Sequence, residues 1–326
     1  MYSQDELLEK IRRWFPDAKA PGAIHQDTTD FFKVDYGDVL LLGDEAYLIR
    51  HNAKEGRFGL DDEVKFWVKN AFDLETGERK IIKLTFFERF DANIGKFNFQ
   101  CYRSPKKEAR ILDLVGRHPH FMHGKWAKDN AGNVVRVIDY IYGPSLHGYL
   151  NGLDMNHETY FFTVFPDILK KYTSCVEAIA FLHQHHEKHG DIRRDHIFMD
   201  RENGDYRWID FDYNYQHKEN MFSYDLFGLG NVMIFIAGKG DVLIQDLEKK
   251  GFPGLARVTD KDMNIVFKNR VANLKKIFPY VPEALNRVLL HFSQGAELFY
   301  QTTAHLLEDL EAATQSMPVL KEEVEK

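Results

Sequence analysis

Cysteine is nearly absent: Cys101 and Cys175 are the only two in 326 residues. Two thiols are too few for a disulfide framework or a four-thiolate zinc site, so a reducing, cytoplasmic setting is expected. Long apolar runs are missing as well. VLLL at 39–42 and VMIFIA at 232–237 fall far short of the roughly 20 residues that cross a bilayer, so no membrane span is expected. The opening MYSQDELLEKIRRWF carries acids at once and no continuous apolar stretch, which argues against a secretory signal. Nor is there an excess of basic residues. With 43 Lys and Arg against 50 Asp and Glu, the formal net charge is -7, and no broad electrostatic grip on nucleic acid is expected. Internal repeats and low-complexity tracts are absent. So are a Gly-x-Ser-x-Gly elbow and a Gly-x-x-x-x-Gly-Lys-Ser/Thr loop, which leaves serine-hydrolase and P-loop chemistry without support.

What is present is core material. Apolar residues make up 44% of the chain, with 26 Phe and 15 Tyr, and the length allows about two domains or lobes. Residues 4–15 read as a short amphipathic helix behind Ser3, with Leu7, Leu8, Ile11, Trp14 and Phe15 at helical spacing. From about 31 to 90 the texture changes to strand-like runs, VLLL, AYLIR, VKFWVKN and KIIKLTF, with DLETGE as a hairpin turn. PKKEARILDLVGRH reads as a helix closed by Gly116 and Pro119, and VVRVIDYIYG as a further strand. Helices then dominate: the long FPDILKKYTSCVEAIAFLHQHH, and segments 222–238, 265–277 and 282–313. The exception is HIFMDRENGDYRWID at 196–210, two apolar runs flanking a turn. A strand-rich half therefore precedes a helix-rich half, with the hinge expected near Tyr142–Ser145.

Chemistry concentrates in HGDIRRDHIFMD at 189–200 and IDFD at 209–212. Asp191 lies in a polar loop after an apolar helix, a setting that suits a carboxylate able to deprotonate a hydroxyl. Arg193 follows two residues later, with a charge suited to a moving phosphate. Asp210 ends the run YRWI and His196 precedes the paired strand, which would turn both side chains to one cleft. Taken alone, an Asp in a loop is more often a turn residue and a lone His a satisfied structural group. The ordered set is a far rarer pattern. The histidine-rich stretches HQHHEKH at 183–189 and HPHFMH at 118–123 are set aside as metal sites, because adjacency does not make ligands converge. Trp67 and Trp208 sit in strand patterns and read as core.

Across roughly 44–313 the chain resembles the protein-kinase-like superfamily. His189-Gly190-Asp191 is similar to the His-Arg-Asp catalytic loop, and Asp210-Phe211-Asp212 to the Asp-Phe-Gly metal motif. RKIIKL is similar to the strand that presents the phosphate-binding lysine, here Lys83. Glu108 in KKEARILDLVGRHPHF stands where the family's helix glutamate pairs with that lysine. GRFG at 56–59 resembles the phosphate-covering glycine loop through Gly56 and Gly59. VIDYIYGPSL resembles the hinge, where Asp139 to Ile141 would offer backbone groups to adenine. YDLFGLGNVMI resembles the helix whose aspartate, Asp225, anchors the catalytic loop, and YQTTAHLLEDL resembles the family's last helix.

The resemblance implies an α+β, bilobal fold: an N-terminal extension 1–43, an antiparallel-sheet N-lobe 44–142 and a mainly helical C-lobe 143–326. It implies ATP-dependent phosphoryl transfer to a hydroxyl, with Asp191 as base, Arg193 assisting, Lys83 held by Glu108, and His196 with Asp210 on Mg²⁺. The pattern departs from the family in four places. His196 replaces an asparagine, which favours Mn²⁺ tolerance and is similar to lipopolysaccharide-core sugar kinases. Gly190 replaces an arginine that grips a phosphorylated loop, and His-Gly-Asp is similar to aminoglycoside and choline kinase-like enzymes. Only 15 residues separate Asp210 from Asp225, too few for a full peptide-docking segment. The glycine loop lacks its first glycine and is followed by Asp61, Asp62 and Glu63. Three readings stay open: a kinase acting on protein Ser/Thr, a small-molecule or glycan kinase, and an inactive pseudokinase that binds or scaffolds.

Overall fold

The structure, a computed structural model, describes residues 2–55 and 63–317, and these fall into two units. The first gathers the chain up to Glu88 with Arg103–His118 and Met122–Ile141; the second gathers Arg89–Tyr102, Pro119–Phe121 and Tyr142 onward.

The chain opens with α1 (Gln4–Trp14). Its first turn is closed by a capping box: the Ser3 hydroxyl accepts from the Glu6 N–H at 3.2 Å and the Glu6 carboxylate accepts from the Ser3 N–H at 2.7 Å. Leu7 and Ile11, one turn apart, are buried among Val39, Leu41 and Leu48. Strands β1 (Ile24–His25), β2 (Val39–Leu42), β3 (Glu45–Glu55), β4 (Glu63–Asp73) and β5 (Arg79–Lys83) follow. The next pair, β6 (Arg89–Ile94) and β7 (Phe97–Arg103), packs within the second unit apart from Arg103. The first unit resumes with α2 (Pro105–Val115), β8 (Gly124–Lys128) and β9 (Val134–Asp139). Its sheet runs β1-β2-β3-β4-β5-β9-β8, antiparallel except for the β1–β2 pair. Leu40, Tyr47, Ile49, Ile82, Val135 and Val137 form the core on one face. Strand β5 lies between β4 and β9, which is why Lys83 can be buried at the end of a short strand.

The second unit holds α3 (Leu146–Asn151), α4 (His157–Thr163), the 20-residue α5 (Phe165–Gln184), β10 (Ile197–Met199), β11 (Tyr206–Trp208), β12 (Tyr213–Gln216), α6 (Ser223–Ala237), α7 (Ile244–Lys249), α8 (Glu283–Leu290) and α9 (Thr303–Gln315). The expected hairpin at 196–210 is there, with Ile197 opposite Trp208 and Met199 opposite Tyr206. Residues 142–145 run beside β10: the Arg201 N–H donates to the Tyr142 carbonyl and the Met199 N–H to that of Pro144, both at 2.9 Å. Gly143 is required there, since a Cβ would stand 1.8 Å from the Met199 carbonyl oxygen.

One expected helix is not formed and another is interrupted. Segment 265–277 is largely irregular because buried side chains take its backbone donors. Asn264 Oδ1 accepts from the Val266 and Phe267 N–H groups at 2.7 Å each. The expected helix over 282–313 is broken into α8 and α9. Between them the Gln294 N–H donates to the Met263 carbonyl at 2.7 Å and the Gly295 N–H to that of Lys261 at 2.9 Å, so the chain is tied to another segment. Among the described residues, no helix is long and apolar enough to cross a membrane.

Candidate functional site

In the first unit the site is built around one buried carboxylate. Lys83 Nζ lies 2.6 Å from Glu108 Oε1, and both side chains are almost wholly enclosed. Ser104 caps α2 and Pro105 starts it, so Glu108 sits in the first turn, where a negative charge meets the positive end of the helix. A third residue joins: Arg136 Nε donates to Glu108 Oε2 at 3.0 Å, and its Nη1 donates to the Val134 carbonyl at 2.8 Å. In register, Lys83 stands opposite Arg136 on β5 and β9. Two like charges directly opposite repel; Glu108 between them makes the arrangement tenable. The signal for Arg136 was a single cation inside the apolar run VVRVID, and it was passed over.

Asp139 is still part of β9. Its N–H donates to the His123 carbonyl at 2.9 Å, and its carboxylate takes Lys80 at 2.8 Å. Burial works against the Lys80 charge, but the hydrogen bonds to Asp139 and Glu78 outweigh it and hold the amine above its ordinary pKa. Ile141 closes the last stretch of the first unit. Gly56, Gly59, Asp61 and Asp62 lie outside the described residues.

In the second unit, the loop after α5 is anchored from below. The fully buried Asp225 accepts from the His189 N–H on Oδ2 and the Gly190 N–H on Oδ1, both at 2.8 Å, and from His183 Nε2 at 3.1 Å. Burial pushes the Asp225 carboxyl up, yet the His183 hydrogen bond and charge, with help from His189 and Gly190, outweigh it and hold the group below the usual range. His189 is enclosed, its ring edge-on to Trp208 at 5.1 Å and to Phe211 at 6.1 Å. A carboxyl whose pKa is lowered on folding contributes stability above its unfolded pKa and loses it as pH falls through the folded one. The Asp225→Asn protein is therefore expected to be less stable than wild type at neutral pH. The gap should narrow as pH drops from about 5 to below 3, as read from urea melts across pH.

That anchored loop brings three predicted residues together. His196 Nδ1 lies 2.9 Å from the Asp191 carbonyl oxygen and 3.5 Å from its Oδ2, while His196 Nε2 lies 3.7 Å from Asp210 Oδ2. A carbonyl oxygen only accepts, so Nδ1 carries a proton, and Nε2 faces Asp210. At 3.7 Å the pair is too long for a hydrogen bond and close enough for both atoms to meet one divalent ion. The histidine is 3% exposed, and the two carboxylates are partly open. Asp210 itself has φ +60°, a left-handed conformation that aspartate tolerates better than most residues.

Arg193 is held by a neighbouring carboxylate. Its guanidinium is bonded through Nε to Asp195 Oδ1 at 3.0 Å and through Nη2 to Asp195 Oδ2. The Asp195 carboxylate was not singled out from sequence. The histidine-rich stretches carry structural bonds: His185 Nδ1 to the Phe181 carbonyl, His120 Nδ1 to the Tyr206 carbonyl and His123 Nε2 to the His118 carbonyl. No group of three or more metal-type ligands occurs among the described residues. His196 and Asp210 would suit a divalent ion that also keeps water and takes phosphate oxygens, and the imidazole nitrogen favours Mn²⁺ over the oxygen-preferring Mg²⁺.

No protein-family model matches the chain, and no curated protein matches it. Among solved structures, the kinase PK-1 of Cydia pomonella granulovirus aligns with a TM-score of 0.50 at 15% identity, over 81% of this chain and 93% of that one. The PknI kinase domain of Mycobacterium tuberculosis aligns with a TM-score of 0.47 at 12% identity, over 84% of this chain and 97% of that one. At such identities the likeness to PK-1 shows the fold. The chain has a protein-kinase-like α+β fold, with one antiparallel-sheet unit and one mainly helical unit.

Proposed function

We propose that the protein is an ATP-dependent phosphotransferase that moves the terminal phosphoryl group to a hydroxyl. The observation that carries this reading is the arrangement of His196, which donates to the Asp191 carbonyl on one side and presents its other nitrogen to Asp210. The bond to the Asp191 carbonyl fixes the ring, as such bonds do for many metal-binding imidazoles. A divalent ion bound by His196 and Asp210 would supply charge neutralisation for phosphate oxygens. Asp191 accepts the proton of the acceptor hydroxyl. Lys83, held by Glu108, offers its ammonium to the nucleotide phosphates. The two buried free thiols, Cys101 and Cys175, suit the cytoplasm. The acceptor is either protein Ser/Thr or a small molecule or glycan.

A nucleotide-binding scaffold without turnover is the second reading. It is favoured by Arg193, whose charge is spent on Asp195. The test of the common core is a melting curve with ATP and Mg²⁺ or Mn²⁺ beside Asp210→Ala. At a hundred-fold excess over Kd, ligand stabilises by about 2.7 kcal/mol, on the order of 4 °C for a chain of this length. A metal-dependent rise that Asp210→Ala abolishes supports the site, and turnover then separates the two readings. No rise with either metal overturns both.

A further inference from the structure

The chain carries a hairpin that neither the motifs nor the proposed chemistry account for. Strands β6 and β7 lie between the lysine strand and the glutamate helix in sequence, yet pack in the second unit, where the sheet order is β12-β7-β6. Strand β12 begins one residue after Asp210-Phe211-Asp212. The four residues Tyr213–Gln216 that follow the metal motif are therefore paired by another part of the same chain.

The pairing is anchored at several points. At the turn, Gly95 has φ +56° and comes so close to Ile265 that a Cβ would lie 3.1 Å from its side chain. Phe97 next to it packs on Phe227 at 5.6 Å and Phe299 at 5.8 Å. Along the strands, Phe90 meets Tyr213 edge-on at 5.4 Å, and Asn214 Nδ2 donates to the Tyr102 hydroxyl at 3.0 Å. Phe99, fully buried, touches Tyr215 at 6.0 Å and Tyr224 at 5.0 Å. These two tyrosines lead to the catalytic loop. The Asp225 N–H donates to the Tyr215 hydroxyl at 3.4 Å, and Lys188 Nζ donates to the Tyr215 carbonyl at 2.8 Å. Asp225 in turn holds His189 and Gly190. The neighbouring Cys101 faces the same region: burial pushes its thiol up to about 12, with Asp191 and Asp225 adding to the rise.

We propose that the 89–103 hairpin is a built-in clamp that positions Asp210 and the loop of Asp191 by pairing with strand 213–216, with Phe99 as its central positioning residue. A strand fixed in this way needs no covalent modification to become ordered, whereas segments of this kind are elsewhere ordered by new phosphate–arginine pairs. The short span from Asp210 to Asp225 is thereby a held strand followed closely by α6.

The inference rests on the phosphotransferase reading, and the test separates the two. Unmodified full-length protein, its mass checked, is titrated with Mn²⁺ in the presence of ATP, with binding read by electron paramagnetic resonance of free Mn²⁺. Phe99→Ala is expected to weaken Mn²⁺ affinity about 10- to 100-fold, the range found when groups supporting a metal ligand are removed, and Phe99→Leu to restore most of it. Asn214→Ala, which deletes the side-chain hydrogen bonds to the Tyr102 hydroxyl and from the Tyr215 N–H and leaves the aromatic core filled, is expected to weaken it a few-fold and serves if Phe99→Ala does not fold. Phe165→Ala, an equally buried truncation in α5, controls for loss of stability alone. Unchanged affinity in the folded hairpin variants, an equal loss in Phe165→Ala, or tight Mn²⁺ binding only after phosphorylation of the protein overturns the clamp. Failure of the wild type to bind Mn²⁺ with ATP overturns the phosphotransferase reading instead.

Discussion

Asp191→Asn is expected to lower kcat about 10²- to 10⁴-fold while ATP and metal affinity stay within a few-fold of wild type. The reason lies in how the residue is used. Its backbone carbonyl accepts from His196 Nδ1, and that bond survives the change to an amide side chain. The loop around it is held from elsewhere, by Asp225 on His189 and Gly190. What is lost is the negative charge and, on the proposed role, the proton-accepting oxygen. Steady-state kinetics with any accepted hydroxyl substrate decides the matter: a fall of less than about three-fold would remove Asp191 from the role of base.

Glu108→Gln should be the most damaging single change in the first unit. In the folded protein this carboxylate takes Lys83 at 2.6 Å and Arg136 at 3.0 Å, and all three side chains are buried. Removing the Glu108 charge takes away the carboxylate that both cations share across β5 and β9. Breaking a buried ion pair in this way costs about 3–5 kcal/mol. Lys83→Met should cost less, because Arg136 and Glu108 remain paired. The triple replacement Lys83→Met, Arg136→Met, Glu108→Leu should recover much of the stability, since well-packed apolar groups often equal a buried ionic cluster. It should also abolish ATP-dependent turnover. Urea unfolding across the series gives the order, and the charge cluster is retained for function if stability returns without activity.

How much of this was readable beforehand varied with how local the determining physics is. The Ser3 cap, the turn before β5 and the 196–210 hairpin all announce themselves within a dozen residues, and each formed where expected. The pairing of Lys83 with Glu108 and the meeting of His196 with Asp210 were legible only because a family pattern ordered them. Arg136 was not, since nothing local distinguishes a buried strand arginine from an exposed one until its partner is known. The missing helix at 265–277 and the break within 282–313 share one cause. Apolar spacing there was compatible with a helix, but Asn264 and the carbonyls of Lys261 and Met263 compete for the same backbone donors. The hairpin at 89–103 went unnoticed because its anchors, Ile265, Phe227 and Phe299, are more than a hundred residues away.

The two units are not two lengths of chain. Residues 89–102 and 119–121 precede Ile141 in sequence but belong to the second unit's packing. A protein cut after Ile141 would therefore not fall into two self-sufficient fragments. The piece 142–326 would lack Phe121 against Phe211, and Phe90 and Phe99 against Tyr213 and Tyr215, leaving bare aromatic surface that favours aggregation. Expressed alone it should be insoluble, and expressed together with 1–141 it should be rescued, as complementing halves of one interwoven chain.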